Sequence, residues 1–250
     1  MARLGILRHA CLFILLTLLT QIGGIAWLAA LRFRRRVLTF VLAYAMLWGL
    51  AFALAPSFGR EPLPCFGAPL QMQSPIYCAL LRNYVMPDLA AIAHDAATEI
   101  AQVYPGTVTL ALDGGFPFLS GMPLMPHLSH DDGEKLDFAF YYINAAGAYL
   151  PGKTRSPIGY FAFENGRDVD CNPVWLTLRW DMGWLQPLWP NRPVDDVRTA
   201  ALIKIFAADP RVGKIFVEPP LATRLDLTDP KIRFQGCRAA RHDDHIHIQL

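Results

Sequence analysis

The chain has 250 residues, 53% of them hydrophobic, with a mean hydropathy of +0.26 and a formal net charge of +2. That is too apolar for an ordinary soluble domain, and the charge is uneven: residues 1–60 hold seven arginines and no acid, leaving 16 basic against 21 acidic residues, formally −5, in the remainder. No nucleic-acid partner is expected, because phosphate binding requires a basic face.

Two stretches without a charged residue, 10–31 and 37–59, each reach the roughly 20 residues needed to cross a hydrocarbon core. They predict a transmembrane hairpin over residues 1–59, with spans at about 10–31 and 37–58, joined by Arg32-Phe33-Arg34-Arg35-Arg36. A cleaved signal sequence is the alternative for the first run, but its apolar part exceeds the ~7–15 residues of such segments and a second span follows at once. Short arginine-rich loops stay cytoplasmic. The loop is therefore expected inside and both ends outside, with Arg3 and Arg8 carried across on the N-terminal tail. This places the rest of the chain on the periplasmic side of an inner membrane. Cysteine usage agrees, since Cys65, Cys78, Cys171 and Cys237 form an even set and disulfides persist in the periplasm. The expected pairing is Cys65 with Cys78 and Cys171 with Cys237, one of three connectivities that four cysteines allow.

Residues 60–86, rich in proline, read as a linker and irregular approach to a domain over 87–250. Pro87 can open a helix, and Leu89, Ile92, Ala93, Ala96, Ile100 and Val103 recur at helical spacing up to Pro105-Gly106. Its His94 is read as a surface or core-edge residue. Val108, Leu110 and Leu112 share a strand face, and strands are expected over 138–143, 158–163, 174–178, 214–218 and 245–250, with a second helix over 194–208. The aromatic loop from Trp180 through Trp184 to Trp189 is read as a core lid, with a substrate groove as the alternative. Strands with two interspersed helices predict an α+β domain with a mainly antiparallel sheet and flanking helices.

Five of the seven histidines fall in two clusters, Met125-Pro126-His127-Leu128-Ser129-His130 and His242-Asp243-Asp244-His245-Ile246-His247. Zn²⁺ takes imidazole and carboxylate ligands at about 2.0–2.2 Å, and a catalytic site supplies three of them. His130, Asp137 and His247 make such a set. Residues 130 and 137 would stand about 10 Å apart along one helix, or about 23 Å apart along one strand. The chain must therefore double back between them, and Asp131-Asp132-Gly133 has turn chemistry at that place. In the alternating segment 244–250, His245 and His247 project from one strand face, so one can bind metal while the other faces substrate. Periodicity leaves open which does which. A lone His-x-His or His-x6-Asp specifies little; the combination in this order is what points to a metal.

Ser129-His130-x-x-Gly133-x-x-x-Asp137 followed by His245-x-His247 resembles the zinc peptidase group of D-Ala-D-Ala metallopeptidases, lysostaphin-type enzymes and the hedgehog domain. Within it, the two histidine clusters and Val212-Gly213-Lys214-Ile215-Phe216-Val217-Glu218-Pro219 look like the penicillin-insensitive murein endopeptidases, over roughly residues 105–250. The resemblance implies that His130, Asp137 and His247 bind one Zn²⁺ per domain, that His245 is catalytic, and that His127 and His242 are further active-site residues. It also implies a peptidoglycan peptide as substrate, a D,D-endopeptidase acting on cross-links, and the α+β fold already expected. The alternatives are a D,D-carboxypeptidase and a catalytically silent, zinc-containing cell-wall scaffold. No Gly-rich phosphate loop, nucleophile elbow or dinucleotide motif competes.

Overall fold

A computed structural model describes residues 2–164, 171, 175 and 177–250. The expected first span is two helices, α1 (Ala2–Thr20) and α2 (Gly23–Ala30). The break has a local cause: Gln21 adopts a left-handed φ of 62°, and the Thr20 hydroxyl takes up the Gly23 N–H at 2.9 Å. Gly24 then lets α2 fold back on α1, since a Cβ there would stand 2.0 Å from the Thr17 hydroxyl. Helix α3 (Arg36–Leu54) continues through a short 3-10 turn, and the combined helix Arg36–Phe58 is long and apolar enough to cross a membrane. It is the one such helix among the described residues. Leu38, Val41, Leu42, Met46, Leu50 and Phe52 are exposed along it, as suits a lipid-facing surface better than water.

Residues 60–86, expected as a linker, are built into the domain. Strand β1 (Glu61–Pro62) pairs antiparallel with β3 (Tyr84–Val85), and β2 (Leu70–Met72) joins the main sheet parallel to β4 (Thr109–Ala111). The short helix α4 (Pro75–Ala79) lies between β2 and β3. Burial explains the difference: Leu63, Leu70 and Met72 reach the core despite the prolines around them. Helix α5 (Pro87–Val103) matches its predicted bounds, and β5 (Lys135–Ala139) begins three residues before the strand expected at Phe138. Helix α6 (Asp196–Ala208) starts where the Asp195 carboxylate caps the Arg198 N–H at 3.0 Å. Then follow β6 (Lys214–Phe216), α7 (Pro219–Arg224), β7 (Ile232–Arg233) and β8 (His245–Gln249).

The six-stranded sheet has the order β2-β4-β5-β8-β6-β7. Its centre is antiparallel, while both edge pairs, β2 with β4 and β6 with β7, are parallel, so the sheet is mixed. The expected strand over 158–163 is irregular, because Gly159 and Phe161 hold φ of 83° and 62°. Of that expected over 174–178, residues 174 and 176 lie outside the described residues, and 175, 177 and 178 are not in a strand. The aromatic loop is not a core lid: in its 3-10 turn, Gly183–Leu188, no residue is buried, and Trp184 is 72% exposed. Both disulfides form as expected, Cys65–Cys78 and Cys171–Cys237, which fits an oxidising compartment.

Strand alternation separates core from site. Leu136 and Phe138 on β5, and their partners Ile248 and Ile246 on β8, belong to the core cluster that includes Leu89, Ile92 and Ile100 of α5 and Leu202, Ile203 and Phe206 of α6. Asp137, His245 and His247 occupy the intervening positions and so point to the other face. Phe206 is fully buried, with its ring 4.8 Å from that of Phe138. Phe206→Ala should cost about 3–5 kcal/mol, read as a lower denaturation midpoint of the full chain in detergent. A loss below about 1 kcal/mol would mean that this helix-on-sheet contact is not the core.

Candidate metal centre

The two central strands set the site. Asp137 and His247 are direct partners in the β5–β8 ladder, so their side chains stand side by side on one face. His130 arrives from the loop between β4 and β5. That loop reverses at Asp131-Asp132-Gly133 as expected: the Asp132 carboxylate accepts the Glu134 N–H at 2.9 Å, and Gly133 takes φ of 80°. Any side chain at 133 would also meet Arg60, whose Nε lies 2.6 Å from the ideal Cβ position.

The result is a triangle of three buried ligand atoms. His130 Nε2 is 3.4 Å from Asp137 Oδ1, His247 Nδ1 is 2.7 Å from the same oxygen, and the two nitrogens are 3.2 Å apart. A tetrahedral ion about 2.0–2.2 Å from each ligand separates them by about 3.3–3.6 Å. The triangle fits once its shortest side, a hydrogen bond, opens slightly. The surroundings suit ligation. His130 Nδ1–H donates to the Gly114 carbonyl at 3.0 Å, which leaves Nε2 as the lone-pair nitrogen. Tyr160 donates its hydroxyl to the other Asp137 oxygen at 2.7 Å.

Electrostatics point the same way. Asp137 is fully buried, and among the described residues no lysine or arginine pairs with it; its ionic neighbours are His127, His130, His245 and His247. Burial alone would raise its carboxyl, yet His130, His245 and His247 hold it well below the usual carboxylate range. An ionised carboxylate ringed by imidazoles calls for a cation. Burial and the neighbouring imidazoles also shift His247: desolvation outweighs the pull of Asp137 and brings it down to about 4, so the ring is neutral and able to ligate.

His245 sits beside the triangle rather than in it. Its Nδ1 pairs with Asp244 Oδ1 at 2.5 Å and its Nε2 faces Asp137 Oδ2 at 3.7 Å. Burial would lower this imidazole, but Asp137 and Asp244 lift it to about 9, and a cation on Asp137 would cancel part of that lift. His127 is also in place, with Nδ1 2.8 Å from Asp113 and its ring 4.3 Å from that of Tyr160. The His242 ring is buried 4.9 Å from that of His245, and its Nδ1 has no hydrogen-bond partner among the described residues. His242, His245 and His247 form a second group with ligand-capable atoms in reach of one another. It lacks a carboxylate to offset the charge of an ion, so the first group is the better metal centre.

All six site residues expected from the sequence therefore meet in one place, on a cavity of about 330 Å³ also lined by Phe161, Phe163, Leu178 and Trp180. Several others were not foreseen. Asp113 is buried and held by Arg82 through Nε at 2.5 Å and Nη2 at 2.6 Å. Burial opposes its ionisation, but Arg82 and His127 bring it down to about 2. A carboxylate closing an apolar strand before Gly114-Gly115 was the available signal. Tyr160 and Arg82 had none, because their roles arise from contacts 23 and 31 residues away. No protein-family model matches this chain, and no curated protein matches it.

The full chain should bind one divalent ion, and His247→Ala should lose it. Metal content after dialysis checks this, and a stoichiometric ion in that variant would show the assigned triangle to be wrong.

Proposed function

We propose that the chain is a membrane-anchored zinc metallopeptidase that hydrolyses amide bonds in peptidoglycan peptides, most directly as a D,D-endopeptidase on cross-links. The observation that carries this reading is the buried carboxylate Asp137, flanked by His130 and His247 and lacking a lysine or arginine partner among the described residues. The resemblance of Ser129-His130-x-x-Gly133-x-x-x-Asp137 and His245-x-His247 to murein endopeptidases supplies the substrate class. Zinc is favoured over hard cations because two of the three ligands are imidazoles.

His130 Nε2, Asp137 Oδ1 and His247 Nδ1 would hold the ion, which when bound supplies a Lewis acid for amide hydrolysis. His245 is the proton carrier. Asp244 fixes its Nδ1–H and is itself fixed by the Phe161 N–H at 2.5 Å, so Nε2 is the nitrogen left to face the site. The Tyr160 hydroxyl orients Asp137, and the Asp113–Arg82 pair orients His127. An intact His245–Asp244 pair weighs against a silent scaffold. The exposed aromatic loop supports the groove alternative, with Trp180 on the cavity wall and Trp184 outside it. The helix Arg36–Phe58 would anchor the domain at the outer face of the inner membrane, where disulfides persist and cell-wall peptides are found.

The test compares the full chain with His245→Ala on defined cross-linked muropeptides. The variant should keep its metal while losing about 10²–10⁴-fold in rate, the worth of a positioned acid–base group. Conversion of dimers to monomers marks the endopeptidase, and release of D-Ala from monomers marks a carboxypeptidase instead. Turnover of neither by the metal-loaded wild type would overturn the peptidase reading.

A further inference from the structure

The loop that carries His127 and His130 is gripped from outside the domain. Gln21, at the break between α1 and α2, is buried and left-handed. Its carboxamide makes three contacts with one short piece of backbone: Nε2–H donates to the Leu119 carbonyl at 3.0 Å, while Oε1 accepts the N–H of Phe118 at 3.1 Å and of Leu119 at 3.3 Å. Two further contacts come from the end of the anchor helix. The ring of Phe58 lies 5.1 Å from that of Phe118. Arg60 donates Nη2–H to Ser120 Oγ at 2.8 Å and fills the space where a side chain at Gly133 would stand.

The path from these contacts to the metal centre is short. The Gly121 N–H donates to the Asp131 carbonyl at 2.8 Å, so the gripped residues 118–121 are tied directly to the residue after His130. Gly133, on the other side of that turn, accepts the Met86 N–H at its carbonyl oxygen at 2.9 Å and is covered by Arg60. His130 is therefore held between two points, one fixed by the N-terminal helical segment and the other by Arg60, two residues beyond it. A glutamine carboxamide buried in an otherwise apolar helical segment is costly unless fully partnered; among the described residues this one is partnered by the site-bearing loop alone.

We infer that Gln21 is a positioning residue: the α1–α2 break clamps residues 116–133, and the geometry of the metal centre depends on that clamp. The helical segment is then part of the working site as well as its anchor. The metal half of this inference rests on the metallopeptidase reading, whereas the clamp does not.

The experiment uses the full chain in detergent with Gln21→Gly and Gln21→Asn. Glycine and asparagine both tolerate a left-handed backbone, so the helix break persists while the long carboxamide is removed or shortened. Hydrogen exchange of residues 116–133 should accelerate in both variants, with exchange in β5, β8 and α5 unchanged. The Zn²⁺ dissociation constant, measured by chelator competition, should rise about tenfold, the low end of what removing an outer support of a ligand costs. Excess Zn²⁺ should restore kcat, which damage to the fold would not allow. Exchange over 116–133 equal to wild type would overturn the clamp whether or not the chain binds metal. Faster exchange with an unchanged Zn²⁺ affinity would overturn the coupling to the metal centre. A wild-type chain that binds no Zn²⁺ would refute the metal reading and the coupling together, leaving the exchange measurement to decide the clamp.

Discussion

A single cross-strand pair, Asp137 opposite His247 in the β5–β8 ladder, governs the rest of the site. Strand alternation makes the consequence unavoidable. With Leu136, Phe138, Ile246 and Ile248 committed to the core, the residues between them must face the other way. A slip of one residue in this register would bury Asp137 among the side chains of α5 and α6 and turn the apolar set toward the cavity. The hydrophobic core thus enforces the metal triangle, because the same ladder carries both.

Burial then decides the chemistry. Asp137 on the cavity wall and Asp113 behind it are both buried carboxylates, and they are satisfied differently. Asp113 has a bidentate arginine, which neutralises it locally and makes it a support for His127. Asp137 has Tyr160 and imidazoles. Its charge is held by imidazoles rather than by an arginine, and a divalent ion shared with two of them would take over that role. In the proposed reading His245, tied back by Asp244, keeps a nitrogen for proton transfer while its neighbour two residues on would hold the metal. The strand face alone makes the two histidines equivalent; the hydrogen bond that His245 donates to Asp244 is what distinguishes them.

Much of this was legible in the residues. Helix α5 matched because an amphipathic run between Pro87 and Pro105-Gly106 has local start and stop signals. The turn at Asp131-Asp132-Gly133 and the alternation of 245–249 were equally local, which is why the two histidine clusters could be brought together before the fold was known. The misses share a different origin. Residues 60–86 carry linker composition, yet pairing of β2 with β4 is a contact over about forty residues that composition does not register. The break at Gln21 hides inside a run apolar enough to span a membrane, because a left-handed residue and two close-packed glycines leave the hydropathy unchanged. The aromatic loop carried core-like composition, but Trp180 lines a cavity and Trp184 stands in solvent.

The central claim is a metal held by two imidazoles and one carboxylate, and X-ray absorption at the zinc edge of the purified full chain tests it most directly. The account predicts a shell of nitrogen and oxygen ligands at about 2.0–2.2 Å, with outer scattering from two imidazole rings and no sulfur. A sulfur shell near ~2.3 Å, or zinc with no imidazole scattering, would contradict it.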